Sequence, residues 1–139
     1  MLRVLVDPNV FVSAVVKPDG VSAAVVRAGF AGRYRFVSSP MLIDELSAVL
    51  GRPKFASDGT VEDRAAFVNA VDGASERHQD GPTDGPAIRD PDDVYLVDLA
   101  RIAKVDLIVS GDRDLHDALG AYFDVVTPRE FLAELDPGR

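Results

Sequence analysis

Five carboxylates stand where side chains can do chemistry. Asp7 ends the apolar run of VLVDPNV, and Asp112 and Asp114 follow the apolar run of LIVSGDRD. The carboxyl ends of buried parallel strands border the crevice in which open α/β sheets hold their ligands. Two further acids come from helical stretches. In SPMLIDELSAVL the apolar stripe is Leu42, Leu46, Val49 and Leu50. At 3.6 residues per turn Glu45 falls about 60° from Leu42, on the shoulder of that stripe, while Asp44 points nearly opposite, toward water. In DPDDVYLVDLARIAK, Asp93 heads the inward-facing series Leu96, Val97 and Ala100. Acids gathered in one cleft repel strongly at low effective dielectric, and some would hold protons at neutral pH unless a cation joined them. Oxygen donors without histidine or cysteine suit Mg²⁺ or Mn²⁺. Such an ion keeps bound waters, one of which can be activated for phosphodiester hydrolysis. Taken singly, each acid also reads as a helix cap or turn residue, Asp92 and Asp114 most directly.

Placing these acids requires alternating strands and helices. Leu2 to Val6 is a short apolar run rich in β-branched residues, which predicts a buried strand ended by Asp7-Pro8. Phe11 to Val16 and Val21 to Phe30 read as helices, and Tyr34 to Val37 as a second strand. Ser39-Pro40 supplies a cap and a first-turn proline for a helix to about Leu50. Thr60 with Asp63 opens an amphipathic helix expected to run to Arg77, and residues 78–91 are Gly-, Pro- and Asp-rich and read as a loop. Helix is expected again at Asp92 to Lys104, strand at Asp106 to Val109, helix at Asp114 to Leu119 and strand at Phe123 to Val126. Thr127-Pro128 then leads into a last helix ending near Leu135. Strands separated by helices pair in parallel, since parallel neighbours need a crossover. The expected fold is a three-layer α/β arrangement with a small central parallel sheet, one domain over residues 1–135 and a tail over 136–139.

Composition narrows the chemistry. The chain has 139 residues, 47% of them hydrophobic, and no cysteine, so disulfide scaffolds, thiol nucleophiles and zinc–thiolate sites are excluded. Only His78 and His116 are histidines, against a zinc site built from imidazoles. His116 reads as a surface or partly packed helix residue, and Phe11 and Phe123 as core. No apolar run reaches the length of a membrane helix, which leads to the expectation of a soluble, cytoplasmic protein. The net charge is −8, the wrong sign for holding nucleic acid by bulk attraction. It is unevenly spread: residues 1–55 carry seven basic and four acidic side chains, and the remainder eight basic and nineteen acidic. Arg27, Arg33, Arg35, Arg52 and Lys54 are the candidate phosphate contacts, with solvated helix ends as their other reading.

Four strings in order, LVDPNVFVSAVV, SPMLIDELSAVLGRPKF, RDPDDVYLVDLA and LIVSGDRDL, resemble the PIN-domain ribonucleases, and most nearly the VapC-like toxins of type II toxin–antitoxin systems. The resemblance runs from about Leu2 to Leu132. It implies an Mg²⁺- or Mn²⁺-dependent endoribonuclease, a protein antitoxin as partner and a homodimer. It carries metal-site roles onto Asp7, Glu45, Asp93 and Asp112, with Asp114 as an accessory acid, Asn9 orienting the first aspartate and Ser110 as the hydroxyl before the last strand-end acid. Under this hypothesis Asp7, Asp93 and Asp112 ligate the cation and Glu45 positions or deprotonates the attacking water.

Two departures stand out. The first motif commonly reads Asp-Thr-Asn and here reads Asp7-Pro8-Asn9, which removes a hydroxyl and a backbone donor. Asp98 replaces a usual small apolar residue; it either pairs with Arg101 or adds a carboxylate near the cleft. Aspartate-based phosphotransfer folds fit less well, because Asn9 stands where a dehalogenase-like phosphatase has its second aspartate and no late lysine matches a receiver domain. A nuclease for DNA ends or flaps would need an arch or clamp insert, and none is visible. The remaining alternative is a catalytically silent PIN-like module that binds protein or RNA.

Overall fold

A computed structural model describes residues 1–82 and 94–136. Five strands form one all-parallel sheet: β1 (Arg3–Val6), β2 (Arg35–Ser38), β3 (Ser75–Arg77), β4 (Leu107–Val109) and β5 (Val125–Val126), in the order β3-β2-β1-β4-β5. Helices α1 (Pro8–Val16), α2 (Val21–Phe30), α3 (Pro40–Leu50), α4 (Val61–Ala74), α5 (Val94–Ala103), α6 (Arg113–Leu119) and α7 (Pro128–Leu135) supply the connections. The strand order reverses at β1, so the chain crosses to either side of the central strand, and its carboxyl end lies at the switch point where such sheets bind ligands.

Alternation along the strands sorts the core into two layers. Val4, Val6, Phe36, Leu107 and Val109 pack with α1, α2, α4 and α7, while Leu5, Val37 and Ile108 pack with α5 and α6. The first layer holds edge-to-face rings, including Phe11 on Phe36 with centroids 5.4 Å apart and Tyr34 on Phe131 at 4.9 Å. Gly29 is fixed by this packing, since a Cβ there would lie 2.3 Å from the Phe36 ring. Phe11 is buried and Phe123 packs against the second layer, as expected.

Several helix starts follow from local capping chemistry. Ser39 caps α3 by accepting from the Leu42 N–H at 3.3 Å. Thr60 with Asp63, and Thr127 with Glu130, form reciprocal capping boxes. The helix expected from Thr60 to Arg77 stops at Ala74, because Ser75–Arg77 leaves it to pair with Phe36–Ser38. The α5 start expected at Asp92, Asp93 itself and residues 137–139 lie outside the described residues. Among the described residues no single helix is long and apolar enough to cross a membrane.

Candidate active site

Asp7 belongs to two elements at once. Its N–H extends the ladder to the Val109 carbonyl at 2.9 Å, and its Oδ1 caps α1 by accepting from the Asn9 N–H at 3.0 Å. Pro8 occupies the first helical turn, where its missing N–H leaves no donor unmet. The other carboxylate oxygen, Oδ2, accepts from the Ser110 hydroxyl at 2.8 Å. That same Ser110 oxygen accepts from the Asp112 N–H at 2.9 Å. One buried hydroxyl thus ties two strand-end acids together. Asp112 is the N-cap of α6, its Oδ1 accepting from the Asp114 N–H at 2.9 Å.

Asp7 is only 4% exposed. Burial raises its carboxyl above the ordinary aspartate value; the Asn9 N–H and Ser110 hydroxyl act against that rise, and the Asp112 charge adds to it. A cavity of about 300 Å³ opens here, lined by Asp7, Asn9, Ser13, Gly111, Asp112 and Pro128. The donors are all oxygen, and an acid raised chiefly by burial, with a second acid beside it, is a setting that a hard divalent cation would relieve. The donor chemistry therefore fits Mg²⁺ or Mn²⁺.

The remaining candidates are distributed. Glu45 is half-buried and lines a second cavity, of about 660 Å³, with Met41, Asp80, Tyr95 and Asp98. The Tyr95 hydroxyl donates to Glu45 Oε2, a pairing of residues fifty positions apart. Asp98 stands on this cavity wall. Asp114 is exposed, its N–H engaged by Asp112. The Asn9 side chain is exposed, so its main-chain N–H rather than its amide group holds Asp7. Among the described residues, no three acidic or histidine side chains are close enough to share one metal ion. Of the basic set, Arg33 pairs with Asp136 at 2.7 Å and Arg27 donates to the Pro18 carbonyl at 2.8 Å, while Arg35, Arg52 and Lys54 are exposed. Arg35 opens β2, at the sheet edge opposite Asp7. His116 is a half-buried residue of α6, as its reading as a partly packed helix residue expected, but the sequence did not show that its Nε2 lies 2.7 Å from the Ser110 carbonyl. The spacing of a histidine six residues beyond that serine was its only trace.

The PIN domain family model matches residues 3–114. A Methanocaldococcus jannaschii protein described as uncharacterized is 24% identical over 97% of this chain and 92% of its own. Among solved structures, VapBC2 from Rickettsia felis, bound to a DNA fragment from their promoter, superposes with a TM-score of 0.64 at 10% identity, covering 91% of this chain and 98% of that one. PAE2754 from Pyrobaculum aerophilum gives 0.59 at 17% identity, covering 96% and 89%.

Proposed function

The chain belongs to the PIN-domain family, and from that premise we propose that it is a metal-dependent endoribonuclease, the toxin of a type II toxin–antitoxin pair. PIN domains are nucleases as a class. The observation that carries the reading furthest is the Asp7–Ser110–Asp112 linkage, in which one hydroxyl beside an open cavity joins the Asp7 carboxylate to the Asp112 main-chain N–H past the ends of neighbouring strands. The fold shared with VapBC2 supports a protein antitoxin as partner. A homodimer accompanies that assignment.

Asp7, Asp112 and Asp93 hold Mg²⁺ or Mn²⁺ on this account, with Asp114 as an accessory acid. Bound there, the ion supplies a water of lowered pKa and offsets charge on the scissile phosphate. Asp7 is held rigidly by two donors, so little reorganisation accompanies binding. Ser110 sets the separation of the two acids, and Asn9 orients the first through its main chain. Glu45 positions or deprotonates the attacking water, with Tyr95 fixing its carboxylate. Of the basic set, the exposed Arg52 and Lys54 are the candidate phosphate contacts of the scheme, whereas Arg35 lies at the opposite edge from Asp7, Arg33 is paired with Asp136 and Arg27 is tied to the Pro18 carbonyl.

Glu45 lines a different cavity from Asp7 and Asp112, which favours a second reading, a PIN-like module that binds without cutting. Incubation of the purified protein with total cellular RNA and Mn²⁺ or Mg²⁺, alongside EDTA and Asp93→Asn controls, separates the two. Discrete fragments that need both metal and Asp93 support the nuclease. A protein that neither cuts RNA nor binds Mn²⁺ by calorimetry is the silent module.

A further inference from the structure

Ser110 is fully buried, and each of its polar groups has a partner. Its N–H donates to the Val126 carbonyl at 2.9 Å, and its hydroxyl serves Asp7 and Asp112. Its carbonyl is the exception to the ladder. Ile108 and Ser110 donate to the Asp124 and Val126 carbonyls, so in a parallel pair the N–H returning to the Ser110 carbonyl belongs to residue 128. That residue is Pro128, which has none. Proline suits the position for another reason: Thr127 caps α7 and Pro128 opens it. The needs of α7 therefore strip the sheet of one donor next to the strand-end acids.

His116 replaces it. From the body of α6 its Nε2 reaches back to the Ser110 carbonyl at 2.7 Å. A carbonyl only accepts, so the proton sits on Nε2. We infer that His116 is a positioning residue for the acid pair: by satisfying the carbonyl that Pro128 cannot, it holds the Ser110–Gly111–Asp112 turn so that one hydroxyl engages both acids. The kinetic consequence rests on the nuclease reading; the geometric one does not.

The test compares His116→Phe, which keeps a ring and loses the donor, with His116→Gln, whose amide nitrogen has a similar reach. His116→Phe is expected to lower kcat and Mn²⁺ affinity by about tenfold each, in the range typical of residues that orient metal ligands, with KM little changed. His116→Gln restores both to within about twofold of wild type on the same reasoning. Wild-type values in His116→Phe, or equal losses in both variants, overturn the inference. If the wild-type protein neither cuts RNA nor binds Mn²⁺, the nuclease reading fails while hydrogen exchange at the Asp112 amide still decides the positioning role. Protection lost in His116→Phe and kept in His116→Gln upholds it; protection unchanged in both overturns it.

Discussion

Two clusters of charged side chains in this molecule meet opposite fates. On the β3 side of the sheet, Arg3 from the start of β1 donates through Nε to Glu76 Oε2 at 3.0 Å, and His78 Nε2 lies 2.6 Å from Glu76 Oε1. The Arg3 main-chain N–H donates to Asp106 Oδ2 at 2.7 Å, and Nη1 to the Lys104 carbonyl at 3.0 Å. Held by Arg3 first and His78 second, the Glu76 carboxyl is pushed down to about 2. At the carboxyl edge Asp7 is held by a backbone N–H and a hydroxyl, and its carboxyl is pushed up by burial. One cluster neutralises itself and welds β1, β3 and the α5–β4 turn. The other holds its acids with neutral donors, the arrangement at which the proposed function places a cation.

The sharpest way to break this contrast is Asp7→Asn. Asparagine caps a helix as well as aspartate, so folding should survive, while cleavage of RNA should fall by more than about a hundredfold as a proposed metal ligand is removed. Activity lost without loss of thermal stability is the expected pattern in paired melting and cleavage assays. Arg3→Met inverts it. Side chains in that network are about 30% exposed, Arg3 at 29% and Glu76 at 33%, so the loss should be only about 1 kcal/mol in urea unfolding, with cleavage unchanged.

The two clusters should also differ in sign with pH. Glu76 has a lowered folded value, so its contribution is present above its ordinary 4.5 and is lost as pH falls toward about 2. Glu76→Gln should flatten that acid limb. Asp7 has a raised folded value, so in metal-free protein its contribution is greatest below its ordinary 3.8 and is lost as pH rises through the folded value. Asp7→Asn should lack that second slope in chemical unfolding followed across the same range. The smallest effect is expected at Arg35, exposed at the opposite edge from Asp7: Arg35→Ala should change stability by less than about 0.5 kcal/mol, and any change in RNA affinity should weaken with added salt.

How much of this was legible in the residues follows from where the information lies. Asp7 and Asp112 were readable because a strand ends where its apolar run ends, and Thr60 with Asp63 and Thr127 with Pro128 announced their helices locally. β3 was not readable. Ser75, Glu76 and Arg77 are polar and continue a helical stretch, and only pairing with Phe36–Ser38 makes them a strand. The Tyr95–Glu45 pair joins two helices far apart in sequence, and the His116 contact follows only once the β4–β5 register puts Pro128 opposite the Ser110 carbonyl. Propensity and spacing place side chains on elements; they do not say which element lies next to which.

The central claim, that neutral donors hold the carboxyl-edge acids ready for a cation, is tested most directly by Mn²⁺ titration calorimetry on wild type, Asp7→Asn and Arg3→Met. The account predicts a binding event in wild type and Arg3→Met that disappears in Asp7→Asn. Binding by Asp7→Asn as tight as by wild type would contradict it.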